Sequence, residues 1–160
     1  MNKYRIQLGL IIILAVIALS LLLAVNATPD MLPFFAIKRI QEKVFLKTKS
    51  TPRDRVDYMS SILESRLQEL KNQVNNKSYG YILPSASRYS TLAGQIADLI
   101  VANNLADKAE DARKQFLLHR KILDEIYVIY PKNTDNMEYK YIQDDYNYLK
   151  LYLDQLEKVK

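Results

Sequence analysis

"LADKAEDARKQFLLHRKILDEIYVIY", residues 105–130, decides the fold. Leu105, Ala109, Ala112, Phe116, His119, Leu123, Ile126 and Tyr130 recur at alternating spacings of 4 and 3, which on a helix draws a single apolar seam. A seam of this kind is stable only when another helix covers it. Pro131 ends the segment, because proline cannot continue a helix interior. After "KNTDN", residues 132–136, the positions Tyr139, Ile142, Tyr146, Leu149, Leu153 and Leu156 repeat the pattern. Two matched seams joined by a short turn predict an antiparallel helical hairpin.

Toward the amino terminus the same reading holds. Pro84 and Ser85 open a helix that reaches about Asn103, with Tyr89, Leu92, Ile96, Leu99 and Ile100 as its stripe and Ala86, Ala93 and Ala97 beside it. Asn103 and Asn104 read as a break, and one bent helix over 85–130 is the alternative. "NNKSYG", residues 75–80, is a turn by composition. Before it, residues 52–75 carry Val56, Met59, Leu63, Leu67, Leu70 and Val74 at helical spacing. Thr51 is placed to cap this helix, with Pro52 at its first position and Asp54 at the capping-box position. Arg55, Arg66 and Glu69 flank the stripe, and their heads are expected to stay wet or to pair with Glu42.

"MLPFFAIKRIQEKVFLK", residues 31–47, gathers Phe34, Ile37, Ile40, Val44 and Phe45 on one helical face, with Lys38, Arg39, Glu42, Lys43 and Lys47 on the other. Such a helix either lies on a bilayer or packs on a neighbour. The expectation is packing on the Leu63, Leu67, Leu70 side of the next helix.

Composition agrees with an all-α chain: three glycines, no tryptophan and twelve tyrosines leave few turns and favour long helices. The absence of cysteine excludes a disulfide framework, a thiolate metal site, a catalytic thiol and an S-acyl anchor. The net charge of +5 is scattered among acids, so nothing points to nucleic acid.

"IQLGLIIILAVIALSLLLAV", residues 6–25, has no charge and is long enough to cross about 30 Å of hydrocarbon. It is read as one transmembrane helix inserted in the lipid bilayer. Lys3 and Arg5 precede it and the next basic residue is Lys38, so the positive-inside bias puts the amino terminus in the cytoplasm and the chain beyond the span outside. A cleaved signal peptide ending at "VNA", residues 25–27, is the rival, but its apolar region would exceed the usual length of about 7–15 residues. The expected organisation is a transmembrane anchor over 1–27, a linker over 28–32 and an extracytoplasmic bundle of four to five helices over 33–160.

"LPFFAIKRIQEKVFL" followed by "RDRVDYMSSILESRLQEL" resembles a bacterial membrane-anchored helical domain family of unknown function. The resemblance lies in Pro33, Lys38, Arg39, Glu42 and Lys43 of the first helix and in an Arg-Leu-x-Glu turn at Arg66, Leu67 and Glu69. It covers residues 32–105 and implies a helical, membrane-tethered domain, with no activity attached.

The sequence offers little catalysis. His119 is the sole histidine, its same-face neighbours Gln115, Ile122 and Leu123 supply neither an orienter nor further ligands, and it is read as a satisfied seam residue. Glu110/Asp111, Asp124/Glu125 and Asp144/Asp145 are adjacent pairs that diverge by about 100° on a helix and read as solvated faces. No metal, cofactor or enzymatic activity is expected. Two functions suit such a chain: a membrane-tethered interaction or scaffold module at the cell envelope, or an envelope sensory or stress-response accessory that binds a small ligand between helices. The residues chosen for partner binding are Tyr141, Tyr148, Tyr152 and Val159, a second stripe on the last helix on which an envelope protein would dock. Tyrosines spread along one exposed stripe favour a protein partner. Tyrosines that converge on a cavity favour a ligand.

Overall fold

The computed structural model describes residues 2–25, 27, 29, 31, 33–132 and 137–159. Among these are six α-helices and no strand: α1 (Asn2–Val25), α2 (Phe34–Thr48), α3 (Pro52–Asn75), α4 (Ile82–Ala102), α5 (Ala106–Ile129) and α6 (Tyr139–Leu156), with a short 3₁₀ turn at Tyr79–Tyr81 before α4. The expected linker, 28–32, and the expected turn, 132–136, lie largely outside the described residues. The chain forms two compact units, Met1–Phe45 and Leu46–Lys160. The boundary between these two units falls within α2.

In the first unit, Ile11, Ile12, Ile13, Leu14, Val16 and Ile17 of α1 are all exposed. Polar side chains of α2 reach the backbone that precedes it: the Lys38 ammonium donates to the Ala27 carbonyl at 3.2 Å, and the Gln41 amide to that of Leu21 at 3.3 Å. Phe35 is buried, whereas Ile40, Val44 and Phe45, expected to be covered, are exposed. Among the described residues no helix is long and apolar enough to cross a membrane. The span expected over 6–25 falls partly on side chains outside the described ones.

The second unit is a four-helix bundle. All six stripe residues of α3, and all eight seam residues from Leu105 to Tyr130, are buried. Full burial contributes about 1.5–3 kcal/mol for each large apolar side chain, so these two stripes are a main source of the bundle's stability. Leu63, Leu67 and Leu70 find their cover inside the bundle, where α3 packs on α4 and α5. α6 packs on α4 and α5, and α3 and α6 do not meet among the described residues.

The helix directions are set by side-chain pairs. Gln73 of α3 bonds Ser85 of α4, which makes those helices antiparallel, while Lys108–Asp57 and Gln115–Ser60 climb α3 and α5 together. Arg113, near the start of α5, donates to the Leu156 carbonyl at the end of α6 at 2.8 Å, as the predicted hairpin requires. α4 and α6 consequently run parallel, side by side.

The helix ends explain why α4 and α5 are two helices rather than one bent one. Asn104 adopts a left-handed conformation (φ 48°), and the amides of Asn104 and Leu105 return to the carbonyls of Val101 and Ile100. This is a Schellman stop, and asparagine tolerates it better than most residues. α3 ends in the same way: Lys77 is left-handed (φ 58°), and Ser78 donates to Gln73 at 2.8 Å. At the other end of α3 the Thr51 hydroxyl accepts from the Asp54 amide at 3.1 Å, with Pro52 in the first turn, as the sequence predicts.

Candidate functional site

α4 and α6 touch through small residues on the α4 side, and the gap between them is an open groove of about 400 Å³. Tyr141, Tyr148 and Tyr152 of α6 line it, with Asp144 and Asp145 from the same helix and Ser90 among the α4 residues opposite. Gly94 sets how closely the walls approach. A Cβ there would sit 2.8 Å from the Tyr152 hydroxyl, so any larger residue must displace that ring. Tyr148 and Tyr152 lie one helical turn apart with their rings stacked at 6.3 Å and 15°. The fourth residue chosen from the sequence is elsewhere: Val159 lies beyond α6 and is buried in the bundle core.

Asp145 overturns its reading as a solvated residue. It is 2% exposed and takes the seam position expected for Tyr146. Tyr146 is half-buried instead, with the Arg120 guanidinium 4.3 Å above its ring. The Asp145 Oδ2 atom is enclosed and has no hydrogen-bond partner. Burial pushes its carboxyl up to about 9, against a neighbouring Ser90 hydroxyl that lowers it and with the Asp144 charge adding to the rise. The acid is therefore neutral near pH 7. Ser90 has a use for its own proton, donated to the Ala86 carbonyl at 3.1 Å.

Behind the groove a second polar arrangement crosses the bundle. His119 is fully buried, with Nε2 2.8 Å from Glu64 Oε2 and Nδ1 2.9 Å from the Tyr89 hydroxyl. Both orienting groups come from helices remote in sequence, α3 and α4, which is why the neighbours of His119 in α5 did not reveal them. Burial holds the imidazole below its ordinary value, opposed by the bond to Glu64 and its charge. Burial alone would raise Glu64, but bonds from Gln68 and His119 outweigh it and hold that carboxyl low. A charged Glu64 only accepts, so Nε2–H donates to it and the Tyr89 hydroxyl donates to Nδ1. Tyr89 is held far above its usual range by burial and by the charges of Asp145 and Glu64. Through these bonds the Glu64–His119–Tyr89 relay ties α3, α4 and α5 in register.

A third cluster corrects the expectation that the heads of Arg66 and Glu69 stay wet. Neither head is wet: both residues are buried, with Arg66 Nη1 at 3.2 Å from both Glu69 oxygens and Arg88 Nη2 at 3.8 Å. Arg88 also donates to Ser85 at 3.0 Å. Among the described residues no group of three or more acidic, histidine or cysteine side chains is arranged to hold a metal ion.

No family model, curated protein or solved structure matches the chain. The resemblance to a membrane-anchored helical family rests on Pro33 and on residues of α2 and α3 alone.

Proposed function

We propose that this chain is a membrane-tethered recognition module of the cell envelope whose α4–α6 groove receives a ligand, with no reaction of its own. One observation carries the reading: Tyr141, Tyr148 and Tyr152 converge with the buried carboxyl of Asp145 on a single groove of about 400 Å³. That volume falls within the range of small-molecule sites, roughly 300–1,000 Å³. A protein-docking module is the second reading, favoured by Tyr148 and Leu151, which sit one turn apart on α6 at 47% and 54% exposure.

The tether is α1, whose charge-free stretch 6–25 is supported by the exposed apolar side chains along Ile11–Ile17. Lys3 and Arg5 before it favour an extracytoplasmic bundle. A reporter active only in the cytoplasm, fused after residue 160, should be silent in cells. An active fusion reverses the orientation.

The groove is tested with the full chain in a non-ionic detergent, by thermal shift against a panel of organic cations, organic anions and neutral polyols. At least one class should raise the melting temperature, and Tyr148→Ser should abolish that rise while leaving the unliganded melting temperature within about 2 °C, as expected for a half-exposed side chain. A panel with no hit, or hits indifferent to Tyr148→Ser, removes the groove from consideration as a ligand site.

A further inference from the structure

The groove is acidic and aromatic in a chain that is otherwise basic. Two carboxyl groups, Asp144 and Asp145, and three tyrosine rings line it, the remaining lining residues being Leu83, Ala86, Ser87, Ser90 and Thr91, with no lysine or arginine. Elsewhere the chain's own cations cover tyrosines: Lys49 lies 5.5 Å over Tyr58, Arg120 4.3 Å over Tyr146 and Lys132 3.6 Å over Tyr127. Among the described residues, no such cation stands over Tyr141, Tyr148 or Tyr152. The carboxyl at the floor retains an oxygen that is buried and unpaired, which costs free energy unless a partner arrives.

Aromatic faces, acceptor oxygens and an uncompensated carboxyl are together the chemistry that recognises a positively charged nitrogen. We propose that the α4–α6 groove binds a small organic ammonium ion, with Asp145 and Asp144 as its counter-charges and the rings of Tyr141, Tyr148 and Tyr152 around its alkyl groups. The proposal rests on the reading of the groove as a ligand site and adds the ligand's class. An anion would meet two acids and no base there, and a neutral polyol brings no charge with which either acid could pair.

Binding is then coupled to a proton. Asp145 is neutral in the empty groove, pushed up to about 9 mainly by burial, and an ammonium ion favours its ionised form, so the proton leaves as the cation enters. The groups that face Asp145 are Asp144, Tyr148 and Tyr152 on α6 and Ser90 and Tyr89 on α4, with His119 behind Tyr89 and Asp98 acting on Tyr152. The tyrosines Tyr89 and Tyr152 are raised above 10 and His119 is lowered below 6.5. The window from about pH 7 to 8.5 therefore isolates Asp145 among the groups whose shifts are resolved.

The probe is choline, titrated calorimetrically into the full chain in a non-ionic detergent. Its affinity should rise by roughly tenfold per pH unit across that window, with heats that depend on the buffer in the way proton release requires. Asp145→Asn should weaken binding at least tenfold at the upper end of the window and abolish the pH dependence. The uncharged carbon isostere of choline should bind at least tenfold less well than choline.

Equal binding of choline and its isostere, or choline binding unchanged in Asp145→Asn, overturns the ammonium assignment. If an organic anion or polyol raises the melting temperature through Tyr148 while choline does not, the ligand class is wrong and the groove reading survives. If nothing binds, both fall. Phosphatidylcholine vesicles that compete with choline, where phosphatidylglycerol vesicles do not, identify a lipid headgroup as the source of the ammonium. Absence of competition leaves the free ion.

Discussion

Asp145→Asn should make the protein more stable near pH 7, by an amount on the order of 4 kcal/mol, although it removes a charged residue type from a buried position. The carboxyl titrates at about 9 in the folded chain and near 3.8 ordinarily. Between those values the folded state holds a proton that the unfolded chain has released. Stability is then fully present below the unfolded value and is lost as pH rises toward 9, by about 1.4 kcal/mol per pH unit. Asparagine keeps the shape and has no proton to surrender, so the variant escapes the slope. Denaturant midpoints of both proteins near pH 4, 7 and 8.5 test this: the gap should be small at the acid end and widen toward the basic end. A gap that does not change with pH, or an asparagine variant that is less stable near pH 8, means that Asp145 is ionised and compensated in the folded chain.

The second large effect is expected at Glu69. Its carboxylate meets Arg66 at 3.2 Å through both oxygens, with both residues buried, and Arg88 lies 3.8 Å away. Glu69→Ala removes a negative partner from a desolvated cluster, a change that typically costs about 3–5 kcal/mol. The loss should come from the buried cations that no longer meet this carboxylate rather than from the pair's own worth. Adding Arg66→Met to a Glu69→Met background should therefore recover part of the stability, measured as a double-mutant cycle in denaturant. If the two changes simply add, the ion pair is not what holds that part of the α3–α4 interface.

Sequence and structure agree on one kind of information and part on another. Seams of one helix were legible, since 3- and 4-residue spacings of apolar residues report directly which face is covered: the α3 stripe and the α5 seam are buried as read. Caps were legible too at Thr51 and at the two asparagines after α4, because they are local. The entry of Asp145 into the α6 seam was not. Asp145 sits where the hydrophobic pattern favoured its neighbour Tyr146, and nothing within one helix tells which of two adjacent residues turns inward. The choice depends on the α4 surface opposite. His119 was legible as a seam residue, but its partners Glu64 and Tyr89, 55 and 30 residues away, were not. The tyrosine stripe of α6 was visible as periodicity for Tyr141, Tyr148 and Tyr152 but not for Val159, which lies past the end of α6. That the stripe edges a groove is a consequence of the small residues of α4, Ala86 and Gly94, whose close approach periodicity alone cannot announce.

The parallel alignment of α4 and α6 bears on how the molecule is made. Adjacent parallel helices cannot be joined by a hairpin, so the chain must run out and back as α5 before the second wall of the groove exists. Ser90 and Asp145, which face each other across it, are 55 residues apart in the sequence. At roughly 5–20 residues per second of synthesis, α4 waits some seconds with its groove face uncovered while α3 already has a partner. The groove has both its walls only when α6 is in place, and bringing α6 back to α4 carries the loop-closure entropy of that long detour. A chain cut short before α6, or one whose last helix has come undone, lacks the second wall of the groove but keeps both helices of the α3–α4 pair. A ligand that needs both walls acts as a latch on the last helix, and favours the fully assembled chain over every shorter or partly opened form.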